Sequence, residues 1–451
     1  MRRYRRVLIA LPAFVGCLAL LATCEVFAAD KTREEKVRED RQRSEAQGTW
    51  IYNDLPRAFT EARRSGKPIL VVLRCLPCEE CVKLDDELVD EDPAIRPLLD
   101  KFVCARQVAT NGLDLAIFQF DTDQSFAVFM LNADGTIYGR FGTRSHRTEW
   151  LGDVSLPGMA EALKGALLLH ADYPANKDSL AAKRGEPLEF PSPEKYPSLQ
   201  GKFTQRLDYE GDVVKSCIHC HQIGDARRAY FRQAGKPIPE RLLFPFPHPK
   251  VVGLTLDPDT RATIKAVAKG SAAQRAGFRP GDMIEKLAGQ PLLSMADVQW
   301  VLDGIDPRGG TAAAIVQRDG QHVALSLTLA DGWRRAGDIS WRVSSWGLRR
   351  MTTGGLLLEP LPDGQRERLA IAPGEMALRV KHVGQYGPHA AAKRAGFRAG
   401  DVIIQFDGRN DLLTDTALLS YGVTNCMVDE KVDVVVLRNG KKQRLVLPMQ
   451  P

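Results

Sequence analysis

The decapeptide RAGFRPGDMI at residues 275–284 returns as RAGFRAGDVI at residues 394–403, an offset of 119 residues. A repeat this close constrains the whole C-terminal half, because two copies of one sequence unit must solve the same packing problem twice. The likeness extends upstream, where IKAVAKGSAAQ matches VKHVGQYGPHAAAK with three extra residues, and downstream, where LAGQPL matches FDGRND. Each copy closes on two strand-like runs, AAIVQRDGQHVALSLTL and VDVVVLRNGKKQRLVLPM, turned by Asp319-Gly320 and Asn439-Gly440. Asp-Gly and Asn-Gly are the dipeptides that two-residue hairpin turns favour. The pattern predicts two small β-rich domains, 249–330 and 369–451, with Gly277, Gly281, Gly396 and Gly400 in tight turns and Asp282 and Asp401 bonded to backbone there. Between them, 331–368 is a connector whose Trp333, Trp341 and Trp346 read as a packing strip.

The N-terminal half follows a different rule. IYNDLPRAFTEARRSGKP has the pattern of a helix ending at Gly66, ILVVLR that of a strand buried on both faces, and FVCARQV and FAVFMLN are further strands. A hairpin follows at Asp134-Gly135, so residues 48–175 are expected to form an α/β domain. Before it, residues 30–47 are almost all charged with alternating signs and read as a solvated linker or frayed helix. After it, residues 176–248 are proline-rich and too poor in apolar residues for a core of their own, so neighbours must hold them.

Residues 1–29 have the basic, apolar and small-residue order of a secretory signal peptide, with cleavage expected near Ala28 or Ala29. The protein is therefore expected outside the cytoplasm, in the periplasm, tethered to the membrane only if the signal stays uncleaved. Removing four arginines and Glu25 with the signal takes the formal charge from +6 to +3, too mild to imply nucleic acid. Seven cysteines remain, at 75, 78, 81, 104, 217, 220 and 426, and clustered cysteines in an exported chain imply disulfides, redox work or a metal cofactor.

Two clusters carry chemistry. Cys217-Ile218-His219-Cys220-His221 is the C-x-x-C-H pattern of covalent heme c attachment, with Cys217 and Cys220 as thioether positions and His221 as the iron ligand. His248 is the first candidate for a second axial ligand, ahead of Met283 and Met295. Zinc held by Cys217, Cys220 and a histidine, or a disulfide, are the alternatives. The other cluster is GKPILVVLRCLPCEEC, which resembles the thioredoxin-like pattern of a Lys-Pro strand start followed by C-x-x-C. That resemblance implies Cys78 as nucleophile at a helix N-terminus and Cys81 as resolving thiol. The chain departs from the family at Glu79 and Glu80, which oppose a thiolate, at Gln124 and Ser125 where a cis-proline is usual, and at Val72 where a buried acid is usual. Cys75, Cys78, Cys81 and Cys104 also have a metal-ligand spacing, and a structural disulfide is a further alternative.

The repeated units resemble PDZ domains of the bacterial protease-associated type, through SAAQRAGFRPGDMIEKLAGQPL and HAAAKRAGFRAGDVIIQFDGRND. The resemblance implies capture of peptide C-termini, with Gly253, Leu254, Thr255 and Leu256 as the carboxylate-binding loop of the first copy. The aligned place in the second, LAIA from Leu369, has no glycine, so that copy is expected to be scaffolding. Neither G-x-S-x-G nor H-E-x-x-H occurs, which argues against a protease. The order of units resembles exported bacterial thioredoxin/PDZ proteins. The expected function is thiol-disulfide redox work with heme c electron transfer and PDZ capture of unfolded or C-terminal segments of exported proteins, alongside a redox partner protein. The alternative is a non-catalytic peptide-binding scaffold whose cysteines are structural or bind zinc.

Overall fold

In the computed structural model, which describes residues 31–74, 92–124, 126–143 and 152–451, strand β2 (Ile69–Arg74) is buried along its whole length. It lies at the centre of a five-stranded sheet with β1 (Trp50–Tyr52), β3 (Val103–Gln107), β4 (Phe126–Leu131) and β5 (Ile137–Thr143), in the order β1-β3-β2-β4-β5. The first three strands are parallel and the last two antiparallel. Period-two alternation sends Leu70 and Val72 to one face and Ile69, Val71 and Leu73 to the other. The first face is covered by helix α3 (Leu156–Ala171) through Met159, Leu163 and Ala166. The second is covered by α2 (Leu55–Ser65) through Ala58 and Ala62, with Asp54 as N-cap and Gly66 closing the helix in the left-handed region.

The proline-rich segment borrows this second face. Tyr196, Leu199, Ile218, Ile223 and Ala226 join the same apolar cluster as Phe129 and Leu131, which is how a segment poor in apolar residues becomes ordered. The charged stretch before the domain is helix α1 (Arg33–Gln47), and it docks instead of standing free in solvent. Its Asp40 pairs with buried Arg74 and accepts from Tyr52 Oη at 2.7 Å, while Ser44 Oγ accepts from buried Arg106 at 3.1 Å. Two arginines on central strands need polar partners, and an apparently featureless charged segment supplies them.

The two repeats fold alike. In the first unit, β6 (Leu254–Leu256) pairs with β7 (Ile264–Val267), and β8 (Met283–Leu287), β9 (Gln290–Pro291), β10 (Gly310–Arg318) and β11 (Gln321–Leu329) form a sheet beside helix α5 (Met295–Gly304). In the second, β12 (Leu356–Pro360), β13 (Leu378–Val383), β14 (Val402–Phe406), β15 (Lys431–Arg438) and β16 (Lys441–Pro448) make one sheet beside α6 (Asp415–Asn425). Asp282 and Asp401 are equivalent: each carboxylate takes two bonds of 2.7 Å from an arginine, Arg318 or Arg438, whose Nη2 also donates to Gly277 or Gly396.

Strand register corrects one sequence expectation. Leu254 pairs with Val267 and Leu356 with Val383, with a bulge after Thr255 and after Leu357. The counterpart of Gly253-Leu254 is thus Gly355-Leu356, not the stretch at Leu369, and the second unit begins well before 369. Leu256 faces Ile264 across a short connection, whereas Leu358 faces Val380 across one that contains the helical turn Asp363–Arg368. This insertion separates Gly355 from the repeated decapeptide by more residues than separate Gly253 from its copy. Gly355 has φ 94° and Gly253 φ 93°. A Cβ on Gly355 would lie 2.1 Å from His389 O, so both conformation and space require glycine.

Residues Arg33–Pro451 form one compact unit. The joint between the α/β sheet and the first β-unit is built from small residues and a buried charge pair. Leu293, just before α5, fits between Gly139 of β5 and Gly165 of α3, where a Cβ on either glycine would come within 2.6 Å of it. Asp297 on α5 accepts from Leu293 N at 2.9 Å and Arg140 N at 3.1 Å, and meets Lys183 Nζ at 3.0 Å; both charged side chains are fully buried.

Candidate functional site

The C-x-x-C-H motif spans a break between two helical pieces. Cys217 ends the turn Val213–Ser216, and Cys220 begins α4 (Cys220–Gln233). His219 caps α4, its N–H donating to Gln222 Oε1 at 2.7 Å in a reciprocal capping box. Ile218, fully buried, anchors the loop: its carbonyl accepts from Thr110 N and Oγ1, both at 2.9 Å, and its N–H donates to Asn111 Oδ1 at 2.8 Å. Thr110 and Asn111 follow β3, whose Gln107 lies beside Leu73 of β2. The loop therefore sits at the carboxyl end of the parallel strands. One turn into α4, a Cβ on Gly224 would come 3.0 Å from Thr122 Oγ1, so the helix also packs against the loop that leads into β4. Cys78 and Cys81 lie outside the described residues; in sequence they follow Arg74, the last residue of β2.

Cys217 is a free, buried thiol, and Cys220 is half-buried at the first residue of α4. Cys217 Sγ donates to Val213 O at 3.1 Å, and burial, with Glu34 nearby, pushes its thiol up to about 11. His221 Nδ1 lies 3.4 Å from Asp225 Oδ2, and its Nε2 has no hydrogen-bond partner among the described residues. Burial alone would raise the Asp225 carboxyl, but His221 and Arg228 more than offset it and hold it below the usual range. Arg228 donates to Asp225 at 3.1 Å and Ser344 O at 3.5 Å; Ser344 donates from N and Oγ to Asp123, and Arg342 spans Asp121 and Asp123 at 2.6 and 3.1 Å. A polar chain thus runs from the motif histidine to the loop before β4. Asp225 is absent from the sequence expectations, and the signal that points to it is its place four residues after His221 on a helix. Asp121, Asp123, Arg342 and Thr110 carried no local signal.

The donor set suits heme c: a cysteine stands at each end of the loop, and an imidazole with Nδ1 toward a carboxylate leaves Nε2 for iron. No group of three His, Cys, Asp or Glu suited to a metal ion occurs among the described residues, so zinc has no ready set there. His248 is occupied as the cap of the turn Pro249–Val252, its Nδ1 accepting from Lys250 N at 3.1 Å. Gly253 donates its N–H to Lys250 O at 3.0 Å, Leu254 and Leu256 are buried, and Thr255 is half-buried. Among the described residues β6 pairs only with β7, and Leu254–Leu256 make no hydrogen bond beyond that pairing.

The family model for thioredoxin-like domains matches residues 50–133, and that for PDZ domains matches residues 263–307. The chain carries a thioredoxin-like domain and a PDZ domain. Among curated proteins it resembles the probable periplasmic serine endoprotease DegP-like of Ectopseudomonas mendocina (strain ymp), 27% identical over 187 residues, 41% of this chain and 37% of that protein. The protein of the same description from Marinomonas sp. (strain MWYL1) is 35% identical over 96 residues, 21% of this chain and 19% of its own length. The chain spans less than two fifths of these curated relatives. Among solved structures, the HtrA-type protease AlgW with tripeptide is 28% identical over 21% of this chain and 30% of its own, with a TM-score of 0.19. AlgW with decapeptide is 18% identical over 31% and 44%, with a TM-score of 0.20. The C-x-x-C-H motif lies outside both matched stretches, docked on the thioredoxin-like domain by Ile218 and on the segment before β4 by Gly224. No helix among the described residues is long and apolar enough to cross a membrane.

Proposed function

We propose that this is an exported, periplasmic redox protein that combines thiol-disulfide chemistry at Cys78 and Cys81, a covalent heme c at Cys217, Cys220 and His221, and capture of polypeptide termini by its PDZ units. The observation that carries the reading is the docking of the C-x-x-C-H loop at the carboxyl end of β2 and β3, through Ile218 to Thr110 and Asn111. The strand that ends there leads directly, in sequence, to the C-x-x-C cluster. In open α/β sheets this end is where chemistry gathers. Heme, when bound, supplies one-electron transfer beside a two-electron dithiol. Cys217 and Cys220 would hold it through thioethers, His221 would present Nε2, and Asp225 would keep Nδ1 protonated and the ring oriented.

The open edge of β6 supports peptide addition by the first unit. Gly355 ahead of β12 extends the same reading to the second, which we take to be another PDZ domain. The periplasmic location rests on the signal-like N-terminus and on relatives described as periplasmic.

Protein exported from a host with heme c maturation provides the test, by optical spectra of the oxidised and dithionite-reduced forms and a denaturing gel stained for heme. Sharpened reduced α and β bands with a heme-positive gel band are expected; a colourless protein removes the heme. Insulin reduction, lost in Cys78→Ser, tests the thiol site. Cys217 itself favours a second reading, a peptide-binding scaffold with structural cysteines, because its thiol is buried, bonded and pushed up to about 11. Peptide binding with neither heme nor insulin reduction in the parent protein would establish that scaffold.

A further inference from the structure

The two β-units differ at the edge where a peptide strand would add. Gly253 O accepts from Ala268 N and Gly355 O from Gly384 N, both at 2.9 Å, so the next residue of each strand, Leu254 or Leu356, turns its N–H and C=O away from the paired strand. In the first unit these groups of Leu254 have no partner among the described residues. In the second they face Thr353 Oγ1, which accepts from Leu356 N–H at 3.3 Å and lies 3.4 Å from Leu356 O. The equivalent place in the first unit holds Val251, which has no hydroxyl.

Thr353 ends a connector helix, Ser345–Thr353, that lies along α6. Asp415, Leu419 and Gly422 recur at i, i+4 and i+7 and so share one face of α6. The connector helix covers that face. Arg349 donates to Asp415 Oδ2, Leu348 and Met351 share an apolar cluster with Leu419, and a Cβ on Gly422 would lie 2.7 Å from Thr352 Cγ2. Since α6 also packs against β12, one helix closes both the strand edge and the helix face between which an added strand would lie. Its leading end is fixed to the α/β domain, through Ser344 N to Asp123 at 2.9 Å and Arg342 to Asp121 at 2.6 Å. We propose that the second unit holds a concealed site for an apolar polypeptide C-terminus, closed by the connector helix and opened when that helix leaves. The inference rests on reading the second unit as a PDZ domain. An incoming strand would replace Thr353 at Leu356 N–H, and its last side chain would take the space over Gly422 that Thr352 now fills. Capture by the first unit is then constitutive, and capture by the second is reduced by the fraction of molecules that are closed.

The test uses the full chain and a displayed library of random heptapeptides with free C-termini. Selected peptides are resynthesised with a benzoylphenylalanine near the end, titrated by fluorescence anisotropy, and their cross-links mapped by mass spectrometry. Thr353→Val copies the first unit, and Met351→Asp places a charge in the apolar cluster; both loosen the connector helix, which hydrogen exchange of its amides reports. The parent is expected to give no cross-link on Leu356–Pro360. Both variants should give them, with peptides that bind the variants about tenfold or more tighter than the parent. Cross-links there in the parent, at an affinity the variants do not change, overturn the closure and leave the PDZ reading of the second unit standing. Variants that stay folded, exchange the helix amides freely and select no peptide at Leu356–Pro360 overturn the site itself, and peptide capture by the second unit with it.

Discussion

Replacing Asp297 by Ala should weaken the joint between the thioredoxin-like and PDZ domains by about 3 to 5 kcal/mol at pH 7, the usual cost of removing one partner of a buried ion pair. The substitution strands Lys183, which is fully buried, and removes the acceptor of two buried N–H groups, those of Leu293 and Arg140. An upper bound comes from the lysine itself. With an ordinary pKa near 10.4, Lys183 can shed its proton at pH 7 for about 4.6 kcal/mol, so the charge penalty cannot exceed that. At pH 9.5 the same escape costs about 1.2 kcal/mol. Burial already pushes Lys183 below the ordinary lysine range with Asp297 present, and more so without it. A base whose folded pKa is depressed leaves the unfolded chain holding more protons, so the variant must gain stability as pH rises toward 10.4. The deficit relative to the parent, read from the first urea transition by tryptophan fluorescence, should therefore shrink between pH 7 and 9.5 by the part that comes from the stranded charge, leaving the part due to the two unpaired N–H groups. Lys183→Met added to Asp297→Ala should recover part of it at pH 7. A deficit under about 1 kcal/mol, or one that does not change with pH, would refute the claim that this pair holds the joint.

Leu293→Ala empties the slot between Gly139 and Gly165 and should cost about 2 to 5 kcal/mol, measured as a lower thermal midpoint and faster proteolysis between the modules. Burial pushes the thiols of Cys104 and Cys426 up to about 12 and that of Cys217 to about 11, whereas Cys220 is only half-buried. Iodoacetamide on native, heme-free protein at pH 8 should accordingly label Cys220 first among these four, as read by peptide mass spectrometry. Burial would raise the Asp282 carboxyl, but the bonds from Arg318 outweigh it and hold it below the ordinary range. Its contribution is thus present above about pH 4 and lost as pH falls through the lower folded pKa. Asp282→Asn should be less stable than the parent at pH 7, the two curves converging in strong acid.

Local patterns in the chain settled the elements. The fully apolar run at 69–73, the glycine at 66, the hairpin dipeptides at 319–320 and 439–440 and the repeated decapeptide all name the structure they form, because each depends on contacts or dihedral preferences a few residues long. The C-x-x-C-H motif was legible for the same reason, and the i, i+4 spacing on a helix is the local signal that points from His221 to Asp225. What the sequence alone left open were the relations between distant segments. Nothing near residue 40 announces that an aspartate there will neutralise Arg74, nor does residue 183 announce Asp297, since a buried charge is paired by whichever partner the folded chain brings to it. The start of the second β-unit lies ahead of the point that the decapeptide spacing indicates, because an insertion between paired strands leaves the register intact while shifting the numbering. Register is set by hydrogen bonds across the sheet, and only the tertiary structure displays them.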